Sequence, residues 1–236
     1  MNRNRWRVLY VLICLFFSCS LSSNERYYSQ RDSKGVSLDH KLRTLMNYKN
    51  GFFIEAGAHA GILQSNTKLL EELDDWRGIL VEPSVNLFQE LQNNRPSAFC
   101  FCCALGSFDE EGAYLWGDFT GSLMSSINGV RQSRPPTEKV LVRSLQSIID
   151  EVGIYHINFL SLDTEGYEFN ILKGIDFTKT TFDYMLIEIY PVEYNDIVTF
   201  LESKGYDLIA NFSNYNRFDN RSWDGTHNDY LFKRRS

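Results

Sequence analysis

From Phe52 to Ile189 short apolar runs alternate with amphipathic ones, and this alternation restricts the chain more than any other feature. Phe52-Phe53-Ile54, Gly78-Ile79-Leu80-Val81, Ala98 to Leu105, Ile157 to Leu162 and Tyr184 to Ile189 read as buried strands. Between them Thr67–Leu73, Val85–Leu91, Ser144–Val152 and Glu168–Lys173 carry apolar residues at helical spacing. A helix over Tyr194–Lys204, closed by Gly205, and two strands, Tyr206–Ala210 and Asp229–Phe232, follow. Strand–helix alternation predicts an α/β fold: a mostly parallel sheet with helices on both faces and a C-terminal antiparallel hairpin. In such a sheet the ligand crevice lies beyond the carboxyl ends of the strands, where strand order reverses. The residues just after each strand are therefore the candidates for function.

Three strand ends stand out. The first runs into Glu55-Ala56-Gly57-Ala58-His59-Ala60-Gly61, an acid followed by a glycine-bracketed turn. Glycines let backbone approach a ligand closely, and the acid can receive an ammonium group. The spacing is not the Gly-x-Gly-x-x-Gly of dinucleotide binders, which weighs against a nicotinamide enzyme. The second strand ends at Glu82-Pro83, where a carboxylate can accept both hydroxyls of a ribose. The third leads into Asp163-Thr164-Glu165-Gly166-Tyr167-Glu168. Its three carboxylates can orient a hydroxyl, take its proton or hold a cation, though no metal ligands are assigned here. An acid in the first turn of a helix is also favourable with the helix dipole, which alone accounts for Glu168.

Taken together these segments resemble the FkbM family of methyltransferases. The turn from Glu55 to Gly61 is similar to the family's acid-x-Gly-Ala-Asn-x-Gly loop. Ser65-Asn66-Thr67, Leu70-Glu71, Trp76-Arg77-Gly78 and Glu82-Pro83 resemble a eukaryotic subgroup with the same succession. The run Leu162 to Gly174 resembles the LDxEGxExxxLKG signature, the most distinctive of the three. The resemblance implies a Rossmann-like fold, S-adenosylmethionine (SAM) as methyl donor and a hydroxyl oxygen as acceptor. It also implies that Glu55, Gly57, Ala58, His59 and Gly61 line the methionine and ribose side, and that Glu82 and Pro83 hold the ribose. By the same carry-over Ala104 and Leu105 border the adenine, and Asp163, Glu165 and Glu168 face the transfer site. Asp163 is the first choice of base and Glu165 the second, with Glu188 and His227 behind them. Two departures are visible: Glu55 replaces the commoner Asp, and His59 stands where Asn is usual.

Outside this domain, placed over residues 38–236, the N-terminus has its own logic. Met1 to Arg7 carries three arginines and no acid, Val8 to Phe17 is apolar, and Ser18-Cys19-Ser20 are small. That is the order of a secretory signal, shorter than the roughly 20 apolar residues of a spanning helix. Residues 1–23 are thus expected to be a signal peptide or an uncleaved type II anchor, the chain's one means of membrane contact, and residues 24–37 a polar linker. The sequons Asn211-Phe212-Ser213 and Asn220-Arg221-Ser222 agree with lumenal exposure. The expected acceptor is then a hydroxyl of a glycan, lipid or small molecule in the secretory pathway. A non-catalytic trafficking or scaffold protein that keeps the fold is the alternative. A formal net charge of −6 argues against nucleic acid as a partner. Beyond the signal only Cys100, Cys102 and Cys103 remain, expected as reduced strand residues, and no second Cys or His pair offers zinc spacing.

Overall fold

The computed structural model describes residues 26–119, 125–127, 135–219, 221, 223 and 225–235. The expected signal segment, residues 1–23, and two members of the second sequon, Asn220 and Ser222, lie outside the described residues. The main sheet has seven strands. In chain order they are β1 (Phe52–Ala56), β2 (Arg77–Val81), β3 (Phe99–Phe101), β7 (His156–Leu162), β8 (Thr181–Ile189), β9 (Tyr206–Asn211) and β10 (Asn228–Arg234). They lie side by side as β3-β2-β1-β7-β8-β10-β9. The first five run parallel, while β10 is antiparallel to both β8 and β9. The order reverses between β1 and β7, so a crevice is expected at their carboxyl ends.

Period-two alternation sorts the strand residues onto two faces. Ile54, Ile79, Leu160 and Met185 are in register across four strands and are fully buried in one core. Beneath that face pack α4 (Leu145–Val152), α5 (Glu168–Leu172) and α6 (Tyr194–Ser203), through Ile148, Ile171 and Leu201 among others. Phe53, Leu80, Phe159 and Leu186 point into a second core. That core is closed by α1 (Leu38–Leu45), α2 (Lys68–Asp74) and α3 (Val85–Asn94), through Leu42, Leu70 and Leu91. α4 shows how locally these helices are coded: Ser144 Oγ accepts the Ser147 amide at 3.2 Å at its start, and Gly153, at φ 77°, ends it.

Three expectations change. The single strand expected over Ala98–Leu105 breaks at Cys102-Cys103 into β3 and β4 (Ala104–Gly106), which belong to different sheets. Cys102 is accordingly exposed, Cys100 half-buried and Cys103 buried, all three free. Burial pushes the Cys103 thiol up to about 12, so it is inert. Second, β5 (Tyr114–Gly117) is followed by β6 (Glu138–Ser144), a strand beyond those expected. With β4 they form a small sheet, β4-β6-β5, whose buried Val140 and Val142 alternate with exposed Leu141. Third, residues 26–37 are not a free linker. The Ser33 amide donates to Ser213 O at 3.0 Å, Tyr215 Oη to Gln30 Oε1 at 2.8 Å, and the Tyr28 amide to the buried Asp39 carboxylate at 2.7 Å. A segment poor in aliphatics can still be held by hydrogen bonds to buried partners, which composition does not reveal.

Candidate active site

At the carboxyl end of β1 the chain turns sharply. Gly57 has φ +81°, and its amide and that of Ala58 both donate to Val81 O at 3.1 Å. A Cβ on Gly57 would stand 1.8 Å from the Asp163 carbonyl oxygen, so the glycine is required by the neighbouring loop rather than by a ligand. His59 follows at φ +50°, a left-handed conformation that Asn, Asp and His tolerate better than other side chains. Its amide donates to Glu82 Oε2 at 2.9 Å. The Ser84 amide donates to Glu82 Oε1 at 2.8 Å, which fixes the carboxylate from both sides. Burial raises the Glu82 carboxyl to about 7 against the pull of these two amides.

These residues open onto one cavity. Its wall includes nine of the expected residues: Gly57, Ala58, His59, Glu82, Pro83, Ala104, Leu105, Asp163 and Glu165. It also includes several the sequence reading missed, among them Leu63, Gln64, Phe119, Ser125, Ile127 and Tyr167. Phe119, Ser125 and Ile127 follow β5 in a segment with no periodicity, so no local signal marks them. Tyr167 lay inside the signature run and could have been chosen, since a tyrosine two residues past an acidic turn sits beside it. Its hydroxyl donates to Glu110.

Three expected residues are elsewhere. Glu55 is inside β1, on the face of the second core, and does not reach the cavity to receive an ammonium. It accepts from Ser65 Oγ at 2.8 Å, the Asn66 amide at 2.7 Å and Thr67 Oγ1 at 2.6 Å. Buried Arg95, 3.8 Å from Glu55, donates to Glu71 at 2.7 Å, to Gly61 O at 3.1 Å and to Thr67 Oγ1 at 3.1 Å. Gly61 packs against α3, where a Cβ would meet Leu91 and the Arg95 stem. Glu168, fully buried, closes the turn before α5 by accepting from the Thr164 amide at 2.7 Å, Thr164 Oγ1 at 2.9 Å and the Gly166 amide at 3.1 Å. It is a structural brace and does not line the cavity.

Asp163 leaves β7 beside the cavity and meets a second set of acids. Glu165, at φ +60°, accepts from Tyr190 Oη at 2.8 Å. Glu188 of β8 and Asp229 of β10 are register partners, and His227 Nε2 lies 3.4 Å from Glu188 Oε1. Burial, then the charges of Glu165, Asp229 and Glu168, hold the Asp163 carboxyl well above its usual range, with a hydrogen bond to Glu188 pulling the other way. Glu188 is raised in the same way by burial and by Asp163. Asp229, raised to about 6 by burial, completes a group the sequence could not assemble, because β10 joins the sheet from the far end of the chain.

The cavity lies at the switch point of a doubly wound α/β sheet, where such folds bind ligands. The sequence profile of the methyltransferase FkbM domain matches residues 55–208, well over half of the chain, and the chain belongs to that family. No curated protein sequence matches it. Among solved structures it is similar to a TehB-like SAM-dependent methyltransferase from Corynebacterium glutamicum, at 10% identity and TM-score 0.46, covering 86% of this chain and 91% of that one. It is also similar to TrmK of M. capricolum bound to S-adenosyl-homocysteine, at 9% identity and TM-score 0.48, covering 83% and 68%. A precorrin-6y C5,15-methyltransferase from Geobacter metallireducens aligns at 11% identity and TM-score 0.44, covering 84% and 87%.

Proposed function

We propose that this FkbM-family domain, of the subgroup marked by Ser65-Asn66-Thr67 and Glu82-Pro83, is a SAM-dependent O-methyltransferase. The observation that carries the reading is the meeting of Glu82 from β2 and Asp163 and Glu165 from β7 around one cavity, across the turn at Gly57–His59. The residues fit such a donor. Each Glu82 oxygen accepts one backbone amide, and a carboxylate has about four acceptor positions, so two remain for the ribose hydroxyls. Ala104, Leu105 and Phe119 offer the apolar wall that an adenine needs. With Glu55 withdrawn into its own network, Asp163 and Glu165 are the remaining wall carboxylates for the acceptor.

When bound, SAM supplies an electrophilic methyl on a sulfonium, with a neutral thioether as leaving group. The chain then has two tasks: to align the acceptor oxygen with that methyl and to remove the hydroxyl proton. Asp163 takes the proton. Once ionised, a carboxyl held above its usual range is a stronger base than a solvated one. Glu165, braced by Tyr190, orients the hydroxyl.

The acceptor class follows from the N-terminal run, residues 8–17, and from the exposed sequon residue Asn211: a hydroxyl on a glycan, lipid or small molecule met in the secretory pathway. Among the described residues no helix is long and apolar enough to cross a membrane. Calorimetric titration of the full chain with SAM and S-adenosylhomocysteine tests the donor site, with Glu82→Ala as control. Micromolar binding lost in the variant is the expected result. No binding by folded protein would favour the non-catalytic trafficking reading.

A further inference from the structure

We propose that Asp163, Glu165 and Glu188 form a site for one hard divalent cation at the carboxyl ends of β7 and β8. One carboxylate oxygen from each lies within 4.8 Å of the others. Oxygen ligands stand about 2.0–2.6 Å from a magnesium or calcium ion, so two ligands of one ion are separated by at most roughly twice that distance. The three oxygens already occupy that envelope.

A second observation is independent of the clustering. Glu188 is only 4% exposed, and its Oε2 has no hydrogen-bond partner among the described residues. The buried carboxylates of Glu55 and Glu168, by contrast, each accept from three donors. A proton held between Glu188 and Asp163 satisfies that pair alone, whereas one cation satisfies Oε2 and the carboxylates of Asp163 and Glu165 together. The charged groups acting on Glu188 from the neighbouring elements are acids: Asp163 and Glu165 after β7, Glu168 of α5 and Asp229 of β10. His227 is the nearby basic group, 3.4 Å from the other Glu188 oxygen, where it can hold that oxygen while Oε2 faces the cation.

The backbone supports the arrangement. Glu165 sits in a left-handed conformation followed by Gly166 at φ +97°, and this turn directs its side chain back beside Asp163. Tyr190 then fixes it from the end of β8. An all-oxygen donor set selects magnesium, manganese or calcium over zinc or copper. Because Asp163 and Glu165 also line the cavity, a cation here would touch the acceptor. That use rests on the methyltransferase reading, whereas the binding itself does not.

The test is calorimetric titration of the EDTA-stripped full chain with Mn²⁺, Mg²⁺ and Ca²⁺ in the absence of SAM, with thermal unfolding alongside. One ion per chain is expected, with a rise in Tm that Glu188→Gln abolishes and an affinity that Glu188→Gln lowers at least tenfold. Glu165→Gln, on a partly exposed loop, should weaken the same ion and serves if the buried variant does not fold. Asp183→Asn, at the opposite end of β8, should leave binding unchanged. Absence of binding to folded protein, or equal binding by Glu188→Gln and Glu165→Gln, would overturn the proposal. Ion binding without SAM binding would overturn the donor-site reading and leave this one standing.

Discussion

Two groups of buried acids share the same face of the sheet and meet opposite electrostatic conditions. Under the turn at Ser65–Thr67, Glu55 and Glu71 surround Arg95, whose guanidinium is fully buried and satisfied by five neighbours' worth of carboxylate, hydroxyl and carbonyl oxygen in all. One row further along, Asp163, Glu188 and Asp229 gather with Glu165; burial first, and then one another's charge, acts on Asp163 and Glu188, and burial on Asp229. The first group is neutralised and hydrogen-bonded and holds a loop in place. In the second, burial and mutual charge raise the proton affinity of Asp163 and Glu188, and Asp163 and Glu165 border the cavity. The difference teaches that acids at adjacent strand ends acquire structural or chemical roles from the presence or absence of one opposite charge.

The largest expected effect tests the chemical side. Asp163→Asn should lower methyl transfer by about 10²–10⁴-fold, the range of a lost general base, while leaving Tm unchanged or higher because a like charge is removed. Full turnover in the variant would end that role. On the structural side, Arg95→Met should cost about 3–5 kcal/mol in denaturant unfolding, since it strands Glu55 and Glu71. A loss below about 1 kcal/mol would mean that water reaches the pair. Glu55→Gln should be milder, about 1–3 kcal/mol, because the amide nitrogen that replaces one carboxylate oxygen then faces that oxygen's donors. Its SAM affinity should stay close to wild type if Glu55 is structural as observed.

The smallest effect concerns Glu82, on the cavity side. Its folded carboxyl, about 7, lies above its ordinary 4.5. Its contribution to stability is therefore fully present below pH 4.5 and is lost as pH rises through 7. Glu82→Gln should flatten that part of the stability–pH curve. Conversely, the ribose needs the ionised acceptor, so S-adenosylhomocysteine should bind roughly tenfold more weakly at pH 6 than at pH 8. A pH-independent affinity would remove Glu82 from the donor site.

Most of the main sheet was legible because its strands and helices carry their own periodicity. β6 was equally legible, through Val140 and Val142 alternating with Leu141. The break at Cys102-Cys103 had no such mark, since an apolar run looks the same whether it feeds one sheet or two. In the site, Glu82, Asp163 and Glu165 were recognisable as acids at strand ends. Glu55 and Glu168 had the same appearance and turned inward.

The sequence by itself determined the alternation, hence the parallel sheet, and the strand ends where acids and glycines gather, because side-chain periodicity and turn chemistry are local. The tertiary structure alone decided which acids meet Arg95, which meet each other, and that Asp229 and Glu188 come to lie beside Asp163. Those encounters depend on strand order and on which face a side chain takes. Both are settled by packing between elements far apart in the chain, and electrostatic environment follows from them.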